Sequence, residues 1–247
     1  MKHMIQRGPL ARPQRGMAET ASQAAFTLIE LLTVIAVIGI IASLTLGIVG
    51  RLKRTEYISI ATAELGQIES ALENYKAKYG VYPPSNANAN SGAFSPALYS
   101  PLYYELTGVT NNTQKQYFGS LDNSSSILAS DAQKAFGIGG FINCTKFSDE
   151  GGAAQNFLPG LKPNRTTQCT ASTVNGNVQI INLVTTARGP DLNYKPLGLQ
   201  DANPFRYVYP GTNNPNSYDL WVQLVISGKT NLICNWSKNP IINSPLP

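Results

Sequence analysis

Residues 26–49 read FTLIELLTVIAVIGIIASLTLGIV, an apolar run in which Glu30 is the only charged residue. A helix of this length would be about 36 Å long, enough to cross a lipid bilayer. The 25 residues before the run carry a net charge of +3, whereas the rest of the chain carries only +2. Because basic residues flanking a membrane segment stay in the cytoplasm, this excess predicts a cytoplasmic N-terminus and a membrane anchor.

A secretory signal peptide is the main alternative for this segment. Such a peptide has a shorter apolar core, followed by a small-residue cleavage site. Here the small pair Ala24-Ala25 precedes the run, and the sequence after it, GRLKR at 50–54, contains no such site. A carboxylate near the start of a membrane helix is costly and usually has a charged partner. Glu30 is therefore predicted to have a function beyond anchoring.

The sequence AFTLIELL at 25–32 resembles the class III signal of type IV pilins and type II secretion pseudopilins. The resemblance implies that a prepilin peptidase cuts between Ala25 and Phe26 and that Phe26 is then N-methylated. It also makes Glu30 the fifth mature residue, whose carboxylate would meet the new amine of a neighbouring subunit during assembly. The family usually has Gly before the cut, where this chain has Ala25, and the 25-residue leader is long for the family.

A second helical pattern follows the apolar run. Apolar residues recur at spacings of three and four and form one stripe: Ile58, Ala61, Leu65, Ile68, Leu72, Tyr75 and Tyr79. Charged residues are predicted to occupy the other faces: Glu56, Glu64, Glu69, Glu73, Lys76 and Lys78. Gly80 and the Pro83-Pro84 pair end the pattern. We predict one helix over 26–79 whose second half packs on a sheet; a break at Gly50 and a coiled-coil dimer are the alternatives.

The rest of the chain is predicted to contain strands and loops. We expect a short helix over 98–106 and a loop over 107–130. Turn residues separate four strand candidates, 178–185, 206–209, 218–226 and 230–236. The fold class is therefore α+β, a long N-terminal helix on a C-terminal antiparallel sheet, as in pilins. The expected divisions are 1–25 (leader), 26–50 (membrane-spanning half of the helix), 51–80 (periplasmic half), 81–175 (variable, loop-rich) and 176–247 (sheet).

The C-terminal part carries a second resemblance. DANPFRY at 201–207 and SYDLW at 217–221 are similar to a pattern in the major pseudopilin of type II secretion, although the Trp-Gly pair before Asn-Pro is absent. In that family a calcium-binding loop usually follows, but the corresponding SGKT at 227–230 lacks an acidic residue. Because calcium sites need several oxygen ligands, we predict no cofactor, with calcium left as the alternative that the resemblance implies, and we assign Asp201 and Asp219 to turn and strand-end positions.

Cysteine and histidine usage limits the chemistry. In an oxidising periplasm Cys144, Cys169 and Cys234 allow three disulfide pairings, and Cys144–Cys169 is our candidate. The only histidine is His3, so no imidazole follows the leader. Nucleophile, zinc-protease and phosphate-loop motifs are absent from the sequence. A membrane-tethered enzyme is therefore disfavoured, and without a basic stripe we expect no nucleic-acid partner.

The sequence thus predicts a non-enzymatic subunit of a type II secretion pseudopilus, with a type IV pilin or minor pilin as the alternative. The resemblance implies a location in the bacterial inner membrane, with the globular part in the periplasm. It also implies several partners: copies of the chain itself, minor pseudopilins, the prepilin peptidase, and an inner-membrane platform with its ATPase.

Overall fold

The computed structural model describes residues 26–88, 97–145, 152–173, 176–188, 191 and 193–243, and of residues 44–52 it describes the backbone alone. Two compact units are present, Met1–Ile48 and Val49–Pro247. Helix α1 extends over Leu28–Tyr79, as the sequence predicts. The predicted leader, 1–25, lies outside the described residues.

The part of α1 in the second unit packs on the core through the predicted stripe. Ile68, Leu72 and Tyr75 are fully buried. The helix ends at Gly80, whose φ of +76° is the left-handed conformation that glycine adopts at helix ends. Its N–H donates to the carbonyl of Lys76 over 2.7 Å, which satisfies a carbonyl of the last turn.

Glu64 departs from the predicted charge pattern. It was expected on a solvent-facing side of α1, but only 8% of it is exposed. The position lies at the margin of the apolar stripe, next to Leu65, and its polar partners come from residues about a hundred positions further along the chain. Short-range periodicity contains no information on such partners, which is why the prediction for Glu64 is wrong.

Two short helices and eleven strands follow α1 in the described residues of the second unit. The helices are α2 (Leu102–Thr107) and α3 (Ala129–Phe136). The strands are β1 (Val109–Asn112), β2 (Tyr117–Ser120), β3 (Ser126–Leu128), β4 (Cys144–Thr145), β5 (Thr166–Thr173), β6 (Gly176–Thr185), β7 (Asn203–Pro204), β8 (Arg206–Val208), β9 (Asp219–Ile226), β10 (Lys229–Cys234) and β11 (Ile241–Ile242).

The strands form three sheets. Their orders are β3-β2-β1-β4, β5-β6-β7 and β11-β10-β9-β8, and all neighbours are antiparallel except β1 and β4. The hairpin of β9 and β10 turns at Ser227-Gly228 and pairs Val222 with Ile233. The described part of the second unit has one hydrophobic core, to which α1, α2, α3 and the sheets all contribute.

The α+β fold is confirmed, and so are the four predicted strands, which appear as β6, β8, β9 and β10. The predicted loop over 107–130 is wrong, because it contains β1, β2 and β3. Each of these strands buries one large apolar side chain, Val109, Phe118 or Ile127. One such residue is too few to show the alternation of apolar and polar positions that indicates a strand. Strand β5 was missed within the predicted loop-rich region because the residues it turns inward, Cys169 and Ala171, are small.

Candidate functional site

The predicted cleavage point lies at the start of the described chain. Ala25 is outside the described residues, whereas Phe26 is described and its side chain is 81% exposed. Phe26 and Thr27 are not helical, and α1 begins at Leu28. The residue predicted to become the new N-terminus therefore precedes the first helical residue by two positions.

Glu30 caps the N-terminus of α1 together with Thr27. One carboxylate oxygen, Oε2, accepts hydrogen bonds from the Thr27 N–H over 2.9 Å and from the Thr27 hydroxyl over 2.7 Å. The Thr27 hydroxyl oxygen in turn accepts the N–H of Glu30 over 3.3 Å. This reciprocal arrangement is a capping box, with Thr27 as N-cap and Glu30 at the third helical position.

Thr27 is the residue that the sequence interpretation overlooked. The spacing Thr-x-x-Glu before an apolar run is itself a sequence signature of a helix start. Glu30 was predicted to act only toward a neighbouring subunit, but within one chain its carboxylate also satisfies a backbone donor of its own helix. A negative charge in the first helical turn is in addition favoured by the helix dipole.

The described first unit exposes apolar side chains on all faces of the helix. Between Phe26 and Ile41 the large apolar residues are 51–82% exposed. The hydroxyls of Thr33 and Ser43 donate to backbone carbonyls one turn earlier, Glu30 and Ile40. Both hydroxyls are therefore satisfied without water. We call this segment, residues 26–43, the apolar sleeve; it has the surface of a helix that is covered by something other than water.

Among the described residues no helix is both long enough and apolar enough to cross a membrane. The predicted membrane-spanning half, 26–50, falls partly on residues 44–50, whose side chains lie outside the described part of the chain.

The buried Asp219 carboxylate holds the loop between β8 and β9 in place through hydrogen bonds. Its carboxylate accepts the N–H of Asn213 over 2.8 Å, the side-chain amide of Asn213 over 3.0 Å and the N–H of Asn214 over 3.0 Å. Asp201 has a φ of +57° in an exposed turn. The residues described include no cluster of acidic, Cys or His side chains that could hold a metal ion. Through its three hydrogen bonds Asp219 organises its loop directly.

The candidate disulfide Cys144–Cys169 is not present. All three cysteines are described, all are buried, and none is joined by a disulfide. Cys144 lies on β4 in the first sheet, whereas Cys169 lies on β5 in another sheet, where its sulfur accepts a hydrogen bond from Asn182 over 3.6 Å. Sequence spacing does not reveal that the two positions belong to different sheets. Burial raises the pKa of the Cys169 thiol to about 11.

Comparison with protein families bears on the N-terminal segment. Residues 20–46 match the model of the prokaryotic N-terminal methylation motif. This match supports a type IV pilin-like protein. The matched range includes Ala25, Phe26 and the capping pair Thr27 and Glu30. The α+β arrangement of a long N-terminal helix on antiparallel and mixed sheets is consistent with a pilin-like fold.

Neither a curated protein nor a solved structure matches the chain. The methylation motif is shared by type IV pilins and secretion pseudopilins, so the match supports a pilin-like protein without separating the two.

Proposed function

We propose that this pilin-like chain is a structural subunit of a type II secretion pseudopilus. A prepilin peptidase hydrolyses the peptide bond between Ala25 and Phe26, and the new amine of Phe26 is methylated. The processed subunits then assemble into a periplasmic filament that drives protein export. The methylation motif at 20–46, in register with the capping pair and the apolar sleeve, supports a processed, pilin-like subunit, and the resemblance at 201–221 is what favours the pseudopilus.

Before assembly, the N-terminal segment anchors the subunit in the bacterial inner membrane, with the second unit in the periplasm. Two features support this part of the proposal: the basic leader, and the exposure of apolar side chains all around the sleeve. In the filament the same side chains pack against the sleeves of neighbouring subunits. Minor pseudopilins, an inner-membrane platform and its ATPase complete the proposed set of partners, and neither a cofactor nor catalysis is part of the role.

Glu30 changes its partner during this process. In the single chain its carboxylate is held by Thr27. Cleavage creates a positive charge on Phe26, and the neighbouring subunit presents the same amine in an apolar setting. In apolar surroundings an unpaired charge is strongly unfavourable. The Glu30 carboxylate and the amine of the neighbouring subunit are therefore stable there only when they face each other. The exchange from the capping box to the intersubunit pair therefore selects one axial register.

The pseudopilus is favoured over a surface pilus by the residues of the second resemblance. Asn203 and Pro204 form β7, and the Asn203 side chain donates to the carbonyl of Ala187. Tyr218 is buried, with its ring 4.9 Å from that of Tyr82 at the end of α1. The residues of this resemblance, Asn203, Pro204 and Tyr218, are thus buried in the second unit.

A type IV pilin or minor pilin is the second candidate. It is favoured by the region rich in Asn, Ser and Tyr around β1–β3, which exposes neutral polar side chains, as a filament surface in contact with the outside would.

A complementation experiment tests the proposal and separates the two candidates. A deletion strain receives wild type, Glu30→Ala, or the matched control Glu56→Ala, which removes an exposed carboxylate from the same helix. Export into the medium is measured, and surface fibres are counted by electron microscopy. We expect Glu30→Ala alone to lose export while fibres of other origin persist. Loss of surface fibres with export intact would favour the pilin, and normal export with Glu30→Ala would refute the role of Glu30.

A further inference from the structure

A groove between two sheets is lined by uncharged hydrogen-bonding side chains. Its volume is about 470 Å³. Tyr117 and Gly119 of β2 and Ser126 of β3 form one side, and Gln168 of β5 and Ile181 of β6 form the other. The tip between β2 and β3 closes one part of the groove through Asn123, Ser124 and Ser125. We call it the neutral groove.

The absence of charge distinguishes the neutral groove from other cavities in the described part of the chain. The cavity beside α1 includes Glu64, Lys162 and Arg165, and another is lined by Arg188 and Asp201. A groove without lysine or arginine has no complement for a phosphate, sulfate or carboxylate group. A groove without a lining carboxylate has none for a cation. The lining therefore suits an uncharged ligand better than a charged one.

The hydrogen-bonding groups of the neutral groove are available for a ligand. The side chains of Tyr117, Asn123, Ser126 and Gln168 are described, and none of them forms a hydrogen bond within the described chain. Hydroxyls and amides both donate and accept, which suits a partner that also presents donors and acceptors together. The ring of Tyr117 and the side chain of Ile181 add an apolar surface.

The tip of the groove is held in place from behind. The buried Tyr103 hydroxyl lies 3.2 Å from the Ser124 hydroxyl and 3.0 Å from that of Ser125. The Asp122 carboxylate, which does not line the groove, accepts the Ser120 hydroxyl over 2.6 Å and the Ser124 hydroxyl over 2.7 Å. The Ser124 and Ser125 hydroxyls at the tip are already fixed and would therefore lose little entropy when a ligand binds.

We propose that the neutral groove binds an uncharged oligosaccharide. A sugar presents hydroxyls that donate and accept, and a C–H face that packs on an aromatic ring. These are the two kinds of surface that the groove offers, through its amides and hydroxyls and through Tyr117 with Ile181. The inference does not depend on the choice between pseudopilus and pilus.

Binding of the full chain to immobilised glycans tests the proposal. The chain is purified in a detergent without a sugar headgroup and applied to neutral, sialylated and sulfated oligosaccharides. The array includes both bacterial envelope and animal-cell types, so that the source of the ligand is identified. We expect neutral glycans to be bound. Gln168→Ala and Tyr117→Ala are expected to weaken Kd about fivefold and about tenfold, respectively.

Gln179→Ala is the matched control. Gln179 is exposed on the same face of the β5–β6 sheet but does not line the groove, so its loss is expected to leave Kd unchanged. Tyr117→Phe keeps the ring and guards against a folding defect in Tyr117→Ala. Failure of wild type to bind any neutral glycan, or a preference for charged glycans, would overturn the proposal. Unchanged glycan binding in the Gln168 and Tyr117 variants would also overturn it, because the glycan would then be bound somewhere other than the neutral groove.

Discussion

Removal of the Glu64 carboxylate is predicted to destabilise the second unit strongly. The carboxylate accepts hydrogen bonds from the Thr185 hydroxyl over 2.6 Å, from the Thr186 N–H over 2.9 Å and from the Thr186 hydroxyl over 2.6 Å. The Nε of Arg165 lies 3.5 Å from the same carboxylate. Glu64 and Arg165 are both only 8% exposed, so this nearly buried cluster, which lines the cavity beside α1, joins α1 to the end of β6 and to the turn before β5.

The two partners of the ion pair are not equivalent. Without Glu64, the buried Arg165 loses its carboxylate and, among the described residues, keeps only the side-chain oxygen of Gln67 and the backbone carbonyl of position 64 as acceptors. An uncompensated buried charge of this kind costs about 3–5 kcal/mol. Without Arg165, the Glu64 carboxylate still has three neutral donors, and we expect a loss of about 1–2 kcal/mol. We therefore predict that Glu64→Leu lowers the free energy of unfolding by about 4 kcal/mol and that Arg165→Met lowers it by less than half of that.

A double-mutant cycle tests this reasoning. Urea unfolding of the full chain in detergent is followed by the fluorescence of Trp221 and Trp236, with Glu56→Leu as the exposed control on the same helix. The double variant Glu64→Leu/Arg165→Met should be more stable than Glu64→Leu alone, because it no longer contains an unmatched charge. Two outcomes would refute this reasoning. One is a double variant whose loss of stability equals the sum of the losses in the two single variants; the other is an equal loss in the two single variants.

Three further predictions concern local structure. Gly211→Ala should lower the free energy of unfolding in urea by about 2 kcal/mol, because the new Cβ would lie 2.5 Å from the Asp219 Oδ1. An unchanged unfolding midpoint would contradict the role of Asp219 in holding the loop between β8 and β9. In the folded chain all three buried cysteines should react slowly with maleimide at pH 8, and Cys169 slowest, because burial raises its pKa to about 11. All three should react rapidly once the chain is unfolded; a single reactive thiol in the unfolded, unreduced chain would indicate a disulfide instead. Thr27→Val should speed amide hydrogen exchange in the first turn of α1, whereas Thr27→Ser, which keeps the hydroxyl, should not; equal rates in the two variants would contradict the capping box.

The elements predicted correctly from the sequence are those with many apolar residues in a regular period. Helix α1 buries a stripe at spacings of three and four, and β9 and β10 contain long apolar runs around a glycine turn. In these segments the local pattern and the tertiary burial agree, so the sequence is sufficient to predict them. The resemblance at 25–32 was equally readable, because cleavage residue, aromatic, Glu30 and apolar run occur in one short segment.

The features that were missed depend on contacts distant in sequence or on very short elements. Glu64 looks like a surface residue until Arg165 and Thr185 are placed beside it, about a hundred residues away. Strands β1, β2 and β3 each have three or four residues, so a period of two has no room to repeat. The neutral groove is assembled from the sides of two sheets and has no sequence motif at all.

Processing of the N-terminus is the step that a pilin-like subunit must undergo before it can assemble. Mass spectrometry of the N-terminal peptide, from cells with and without the prepilin peptidase, measures it in one experiment. We predict a mature chain that begins at Phe26 with one added methyl group, found only when the peptidase is present. A chain that keeps its leader in both strains, or that begins at a residue beyond the apolar sleeve, would contradict the central claim.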